Sequence, residues 1–147
     1  MSVRWHEPMD ARRLPLAGVL AAILAVGVNA GVRQAGRHWL QVPPGEPALS
    51  LLRIISTSLA AVVVATLALG VLSRTQARPF SVFRTLSAVV LLASCAVPLI
   101  ARLGWLPGVS RLSTATMTTL LLMHLASAAV IVAFLTTLPR ASARRRF

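Results

Sequence analysis

The stretch TATMTTLLLMHLASAAVIVAFLTTL (Thr114–Leu138) runs from end to end without one charged side chain. At a rise of ~1.5 Å per residue, a helix over this stretch spans the ~30 Å hydrocarbon core of a bilayer. Inside that core a segment must satisfy its own backbone N–H and C=O groups, which an α-helix does. Strands of a membrane barrel would alternate apolar and polar residues over ~10 positions, and this stretch does not.

Three more runs read the same way. They cover about Leu14–Val32, Ile54–Ser73 and Ser81–Ala101, the last interrupted early by Arg84. The connectors carry breakers. Gln41–Ser50 holds three prolines and a glycine, Arg74–Arg84 is short and basic, and Arg102–Arg111 contains Gly104 and the pair Pro107–Gly108. Short connections make successive helices antiparallel neighbours. The expected fold is therefore all-α, an integral membrane antiparallel four-helix bundle. It forms one domain over residues 1–147 with basic N- and C-terminal tails. The segment Val32–Leu40 reads as a helical extension of the first span, with arginines snorkelling to the surface.

Composition agrees. The chain is 56% apolar and only 12% charged, about half the charge of a typical soluble domain. A net charge of +12 would fit nucleic acid, but the arginines flank apolar segments and build no continuous basic face, so nucleic acid is not an expected partner. Their placement instead gives an orientation. Arg4, Arg12, Arg13, Arg74, Arg78, Arg84, Arg140 and Arg144–Arg146 fall on one side, and Arg33, Arg37, Arg53, Arg102 and Arg111 on the other. The richer side is cytoplasmic by the positive-inside rule, which puts both termini in the cytoplasm of a bacterial inner membrane. Trp39 and Trp105 are placed in an outer aromatic belt, with Trp5, Phe80, Phe83 and Phe147 in an inner one. Arg140, Arg144, Arg145 and Arg146 are expected to contact anionic lipid headgroups. The pair Arg12–Arg13 before an apolar run that leads to VNA also carries a signal-peptide pattern. The length of the run and the arginines that follow favour a retained span.

Ionisable and amide groups inside spans are functional candidates. Here they are Asn29, Cys95 and His124, with nearby serines. By helical rise His124 lies ~3 Å to the outer side of the midplane, Ser94 and Cys95 ~4–5 Å to that side, and Asn29 about one turn below the outer surface. Pro98 leaves the carbonyl of Ser94 without its helical donor, and His124 at similar depth has a ring N–H to offer. His124 is therefore expected to be an interhelical donor to that carbonyl or a nearby hydroxyl. The functional alternative is a polar cavity lined by Asn29, Ser94 and His124. Gly27 and Gly31 form a GxxxG, and Ala21/Ala25, Ala61/Ala65 and Ala129/Ala133 repeat the small-residue spacing that lets helices approach closely.

Catalytic patterns are missing. There is no CxxC, no HExxH, no Gly-rich phosphate loop and no acidic residue inside a span. One cysteine cannot form an intrachain disulfide. His124 has no carboxylate to orient it as a base. The expectation is a small membrane protein without a catalytic site, a metal or a cofactor. It would serve as an accessory or interaction subunit, or bind lipid or another membrane protein, including a second copy of itself. Its alternatives are a small transporter or channel using the His124 cavity and, more weakly, a cofactor-binding redox subunit.

The segments VNAGVR (Val28–Arg33), RPFSVFRTLSAVVLLASCAVPL (Arg78–Leu99) and TMTTLLLMHLASAAVIV (Thr116–Val132) together resemble a family of small actinobacterial four-helix membrane proteins classed as a domain of unknown function. The resemblance covers most of residues 14–138. It implies the four-helix membrane fold, places Asn29, Pro98 and His124 at recurring positions and implies no reaction.

Overall fold

The computed structural model describes residues 9–105 and 111–140. Four helices account for most of them: α1 (Leu14–Trp39), α2 (Leu51–Thr75), α3 (Pro79–Leu103) and α4 (Thr114–Thr137). All four are long and apolar enough to cross a membrane. No strand is present among the described residues. The four-helix all-α architecture expected from the sequence is the one observed.

The boundaries follow local chemistry. Pro15 starts α1 and Pro79 starts α3, where a missing N–H breaks no helical bond. Ser50 and Ser113 cap α2 and α4, their hydroxyls accepting from the backbone N–H of Arg53 and Thr116. Gly104, at φ 77°, ends α3 in the left-handed region while Trp105 N–H reaches back to the carbonyl of Ile100. Helix α1 continues past Val32 to Trp39, the extension that the sequence favours. Because α3 begins at Pro79, Arg84 belongs to its second turn and not to a loop, and its Nη2 donates to Thr136 Oγ1 of α4 at 3.4 Å.

The helices form a ring in which α1 lies between α2 and α4, and α3 closes the other side. The most closely packed pair is α1 and α4. Two apolar clusters fill the interior. The larger holds Ala17, Ala21, Ala25, Val62, Leu69, Phe80, Phe83, Ile131 and Leu135. The smaller holds Val42, Leu49, Ile54 and Met123. Phe80 and Phe83 are fully buried core residues, not members of an interfacial belt. The reason is that both, in the first two turns of α3, pack into the larger apolar cluster, and the guanidinium of Arg140 lies 5.2 Å over the Phe80 ring. Trp39 and Trp105 are exposed.

Small residues are used selectively. A Cβ on Gly18 would meet Thr66 Oγ1 of α2 at 2.9 Å, and one on Gly36 would collide with Thr119 of α4. Gly27 and Gly31 have nothing within 4 Å of such a Cβ, so the GxxxG of the sequence is on the outside of the bundle. Of the alanine pairs only Ala21/Ala25 is buried; Ala61, Ala129 and Ala133 are exposed.

Both ends of the described chain meet at one end of the bundle. Asp10 N–H donates to the carbonyl of Pro139 at 2.7 Å, and Asp10 also pairs with Arg13 at 3.3 Å. At the opposite end the connection between α1 and α2 folds over the helices. Arg33 Nε donates to the carbonyl of Leu49 at 2.8 Å, and Thr116 Oγ1 donates to Glu46 Oε2 at 3.3 Å.

Candidate functional site: a polar joint between three helices

Among the described residues, the buried polar contact that joins three helices is centred on Asn29, which is 6% exposed. Its Nδ2 donates to Ser58 Oγ of α2 at 3.0 Å and to Ser127 Oγ of α4 at 2.7 Å. Each of the three residues occupies the gap between the two apolar clusters. Along α2 the buried series is Ile54, Ser58, Val62, and along α4 the half-buried Ser127 stands between the buried Met123 and Ile131. On α1, Ala25 precedes Asn29 by one turn. The joint is thus a polar layer set into an apolar interior. Since α1 runs from Leu14 to Trp39, Asn29 lies just past its midpoint.

The energetics of this joint are finely balanced. Two interhelical hydrogen bonds in a membrane contribute ~0.6 kcal/mol each on average. The Oδ1 of Asn29 is buried without a hydrogen-bond partner among the described residues, and a stranded buried acceptor costs ~1–3 kcal/mol. With Oδ1 unpaired, the joint adds little net stability. What it supplies is alignment, because both amide hydrogens are satisfied only when α2 and α4 present a serine at that height.

The other two residues expected at a cavity are not part of it. His124 Nδ1 lies 2.7 Å from the carbonyl of Leu120, one turn back on its own helix. A carbonyl only accepts, so Nδ1 is the donor of this bond. The interhelical bond to the Ser94 carbonyl is replaced by this local one. The physical reason is proximity: the Leu120 carbonyl is within reach of the ring without any movement of α3. The middle of α3, from Arg84 to Val97, buries no residue. Ser94 is half-buried and donates to the carbonyl of Leu91 at 2.8 Å, again within its own helix. Cys95 is a half-buried free thiol.

Most membrane-embedded hydroxyls behave like Ser94. Thr66 donates to Val62, Thr119 to Ala115 and Thr137 to Ala133, each to a carbonyl one turn back. Among the described residues there is no group of three His, Cys, Asp or Glu side chains placed to hold a metal. The arrangement positions helices; it does not pair a nucleophile with a base.

The whole of this four-helix unit is matched by one known family. The chain belongs to DUF6069, a family of unknown function. The match runs over residues 7–141 of the 147, and so takes in all four helices, the Asn29 joint and the paired ends at Asp10 and Pro139. No curated protein and no solved structure matches the chain. The DUF6069 membership agrees with the resemblance to an uncharacterised membrane-protein family and carries no reaction with it.

Sequence reasoning picks out Asn29 and misses both of its partners. Serine is common in spans and draws no attention alone. The available signal is spacing: Ser58 and Ser127 each interrupt an apolar series at four-residue intervals, on the face that is buried. The contact between Glu46 and Thr116 is missed for a different reason, since it depends on how a proline-rich loop folds back.

Proposed function

We propose that this DUF6069 protein is a non-catalytic integral membrane subunit that associates with another membrane protein through the exposed face of α3. It resides in a bacterial inner membrane with both termini in the cytoplasm, an orientation supported by the excess of arginine on the terminal side.

The observation that carries this reading is the unequal burial of the helices. In its most apolar window α3 is 11% buried, against 22–28% for the other three. Between Phe83 and Pro98 it contributes no buried residue. That stretch includes Ala88 and Ala93, both exposed, and small residues are what membrane helices use to approach one another. Arg140, exposed over Phe80, anchors the cytoplasmic end at anionic headgroups, each such cation contributing ~1 kcal/mol near the surface. Arg144–Arg146, assigned the same role, lie outside the described residues.

The test is cysteine scanning in native membranes. Cys95 is replaced by serine, and single cysteines are placed at Ala88, Val89, Leu92 and Ala93 on α3 and at Leu59, Val63 and Leu67 on α2, all exposed. Cross-linked species of one defined mass confined to α3 positions support the proposal. Equal cross-linking on both helices, or none on α3, rejects it.

A further inference from the structure

A buried side-chain amide has an acceptor end and a donor end, and at Asn29 only the donor end is used. Both Nδ2 hydrogens are engaged, at 3.0 Å with Ser58 Oγ and at 2.7 Å with Ser127 Oγ. Oδ1 is buried and unpartnered among the described residues. Turning the amide over does not remove the problem. Oδ1 would then accept from the two serine hydroxyls, and Nδ2 would carry two stranded donors where there had been one stranded acceptor. In either orientation one end of a side chain only 6% exposed lacks a partner. Buried polar groups in folded proteins are nearly always hydrogen-bonded, to protein or to ordered water.

We propose that Asn29 Oδ1 is a binding site for one small, neutral hydrogen-bond donor held inside the bundle, a single water molecule. The chemistry narrows the guest in three steps. It is a donor, because a carbonyl oxygen only accepts. It is neutral, because no carboxylate is present to balance a charge at this depth, where an unpaired ion is costly. A metal cation is disfavoured further by geometry. The serine oxygens that would ligate it already accept from Nδ2, at the opposite end of the amide from Oδ1. The guest is small, because five of the six neighbours one turn away along the three helices are the buried Ala25, Ile54, Val62, Met123 and Ile131, and the sixth, Arg33, turns its Nε to the carbonyl of Leu49. Water meets all three conditions. The internal waters of proteins typically make 2–4 hydrogen bonds to groups otherwise left unsatisfied, and Oδ1 of Asn29 is such a group.

Asn29 is the only asparagine in the chain, so labelling with ¹³C,¹⁵N-asparagine gives a single-site probe without assignment. The experiment is solid-state NMR of the full chain in lipid bilayers. Its readouts are the Asn29 Cγ shift and polarisation transfer to Cγ from water protons. The expected result is a Cγ resonance at the hydrogen-bonded position with transfer from water, both retained in Ser58→Ala and in Ser127→Ala. A Cγ resonance at the free-carbonyl position, with no transfer, overturns the proposal. So does loss of the hydrogen-bonded shift in either serine variant, because the serine hydroxyl would then have been the donor. The two variants are read separately, so that failure of one to fold leaves the other to decide.

Discussion

Gly36→Ala tests the packing of this bundle more sharply than any change at the GxxxG pair. On the structure an added Cβ at residue 36 stands 2.8 Å from Thr119 Cγ2 and 3.2 Å from Thr119 Cβ, and collides with Oγ1. Rotating the threonine about χ1 only exchanges its substituents, and Cβ itself does not move. Thr119 is fully buried, so it has no open space to enter. Overpacking of this kind costs ~1–3 kcal/mol, and the value here belongs at the upper end because three atoms are too close. Thr119→Ala alone removes one buried methyl and one hydroxyl that bonds only its own helix, at a cost of about 1 kcal/mol. The double variant should recover most of the Gly36→Ala loss, giving a coupling of ~1–2 kcal/mol, within the range found for residues in contact. Gly27→Ala and Gly31→Ala meet nothing within 4 Å and should be neutral or slightly stabilising, since alanine exceeds glycine in helix propensity by ~1 kcal/mol. Reversible unfolding in mixed micelles measures all five variants. If Gly27→Ala and Gly31→Ala are as damaging as Gly36→Ala, or if Thr119→Ala gives no rescue, α1 and α4 do not meet at Gly36 and Thr119.

Three further outcomes follow from the same contacts. A double-mutant cycle between Asn29→Ala and Ser127→Ala should show a coupling of ~0.6 kcal/mol, the mean for membrane side-chain hydrogen bonds; additivity would remove the joint. Gln41 holds φ 57° without being glycine, so Gln41→Gly should raise stability by about 1 kcal/mol through relief of left-handed strain, seen as a shift in the unfolding midpoint. His124→Leu should leave the folded fraction nearly unchanged, because the one hydrogen bond lost among the described residues is to its own helix; circular dichroism after heating shows whether more was at stake.

The spans were legible because their signal is one-dimensional. An uncharged run such as Thr114–Leu138 has one solution in hydrocarbon, and prolines and glycines mark where it stops. The α1 extension through Arg33 and Arg37 was legible for a related reason, since long basic side chains reach the surface from inside a helix. Which face of each helix turns inward was not legible. With alanine, valine and leucine on every side, α4 has almost no apolar asymmetry, and GxxxG spacing pointed to Gly27 and Gly31 when the close approaches are at Gly18 and Gly36. His124 misled in the same way. A ring N–H in a span suggests a partner across the bundle, and the carbonyl one turn back satisfies it first.

Apolar burial alone leaves the height of one helix against the next poorly determined. Sliding α2 by one turn would place Ile54 or Val62 where Ser58 stands, and sliding α4 would place Met123 or Ile131 where Ser127 stands. The apolar clusters would lose little, because one branched or flexible side chain replaces another. The amide of Asn29 would lose a partner for each slide, and a stranded buried donor costs ~1–3 kcal/mol. Seven residues further along α1, Gly36 receives Thr119, and the same slide of α4 would bring Ala115 or Met123 against it. A methionine there has no space and an alanine leaves a gap. A hydrogen-bonded position near mid-helix and a steric one two turns away on the same face of α1 are therefore enough to fix α4. Asn29 alone fixes α2 at this height, and Gly18 against Thr66 repeats the steric device further down. Among the described residues no comparable pair holds the middle of α3, whose central turns bury no side chain.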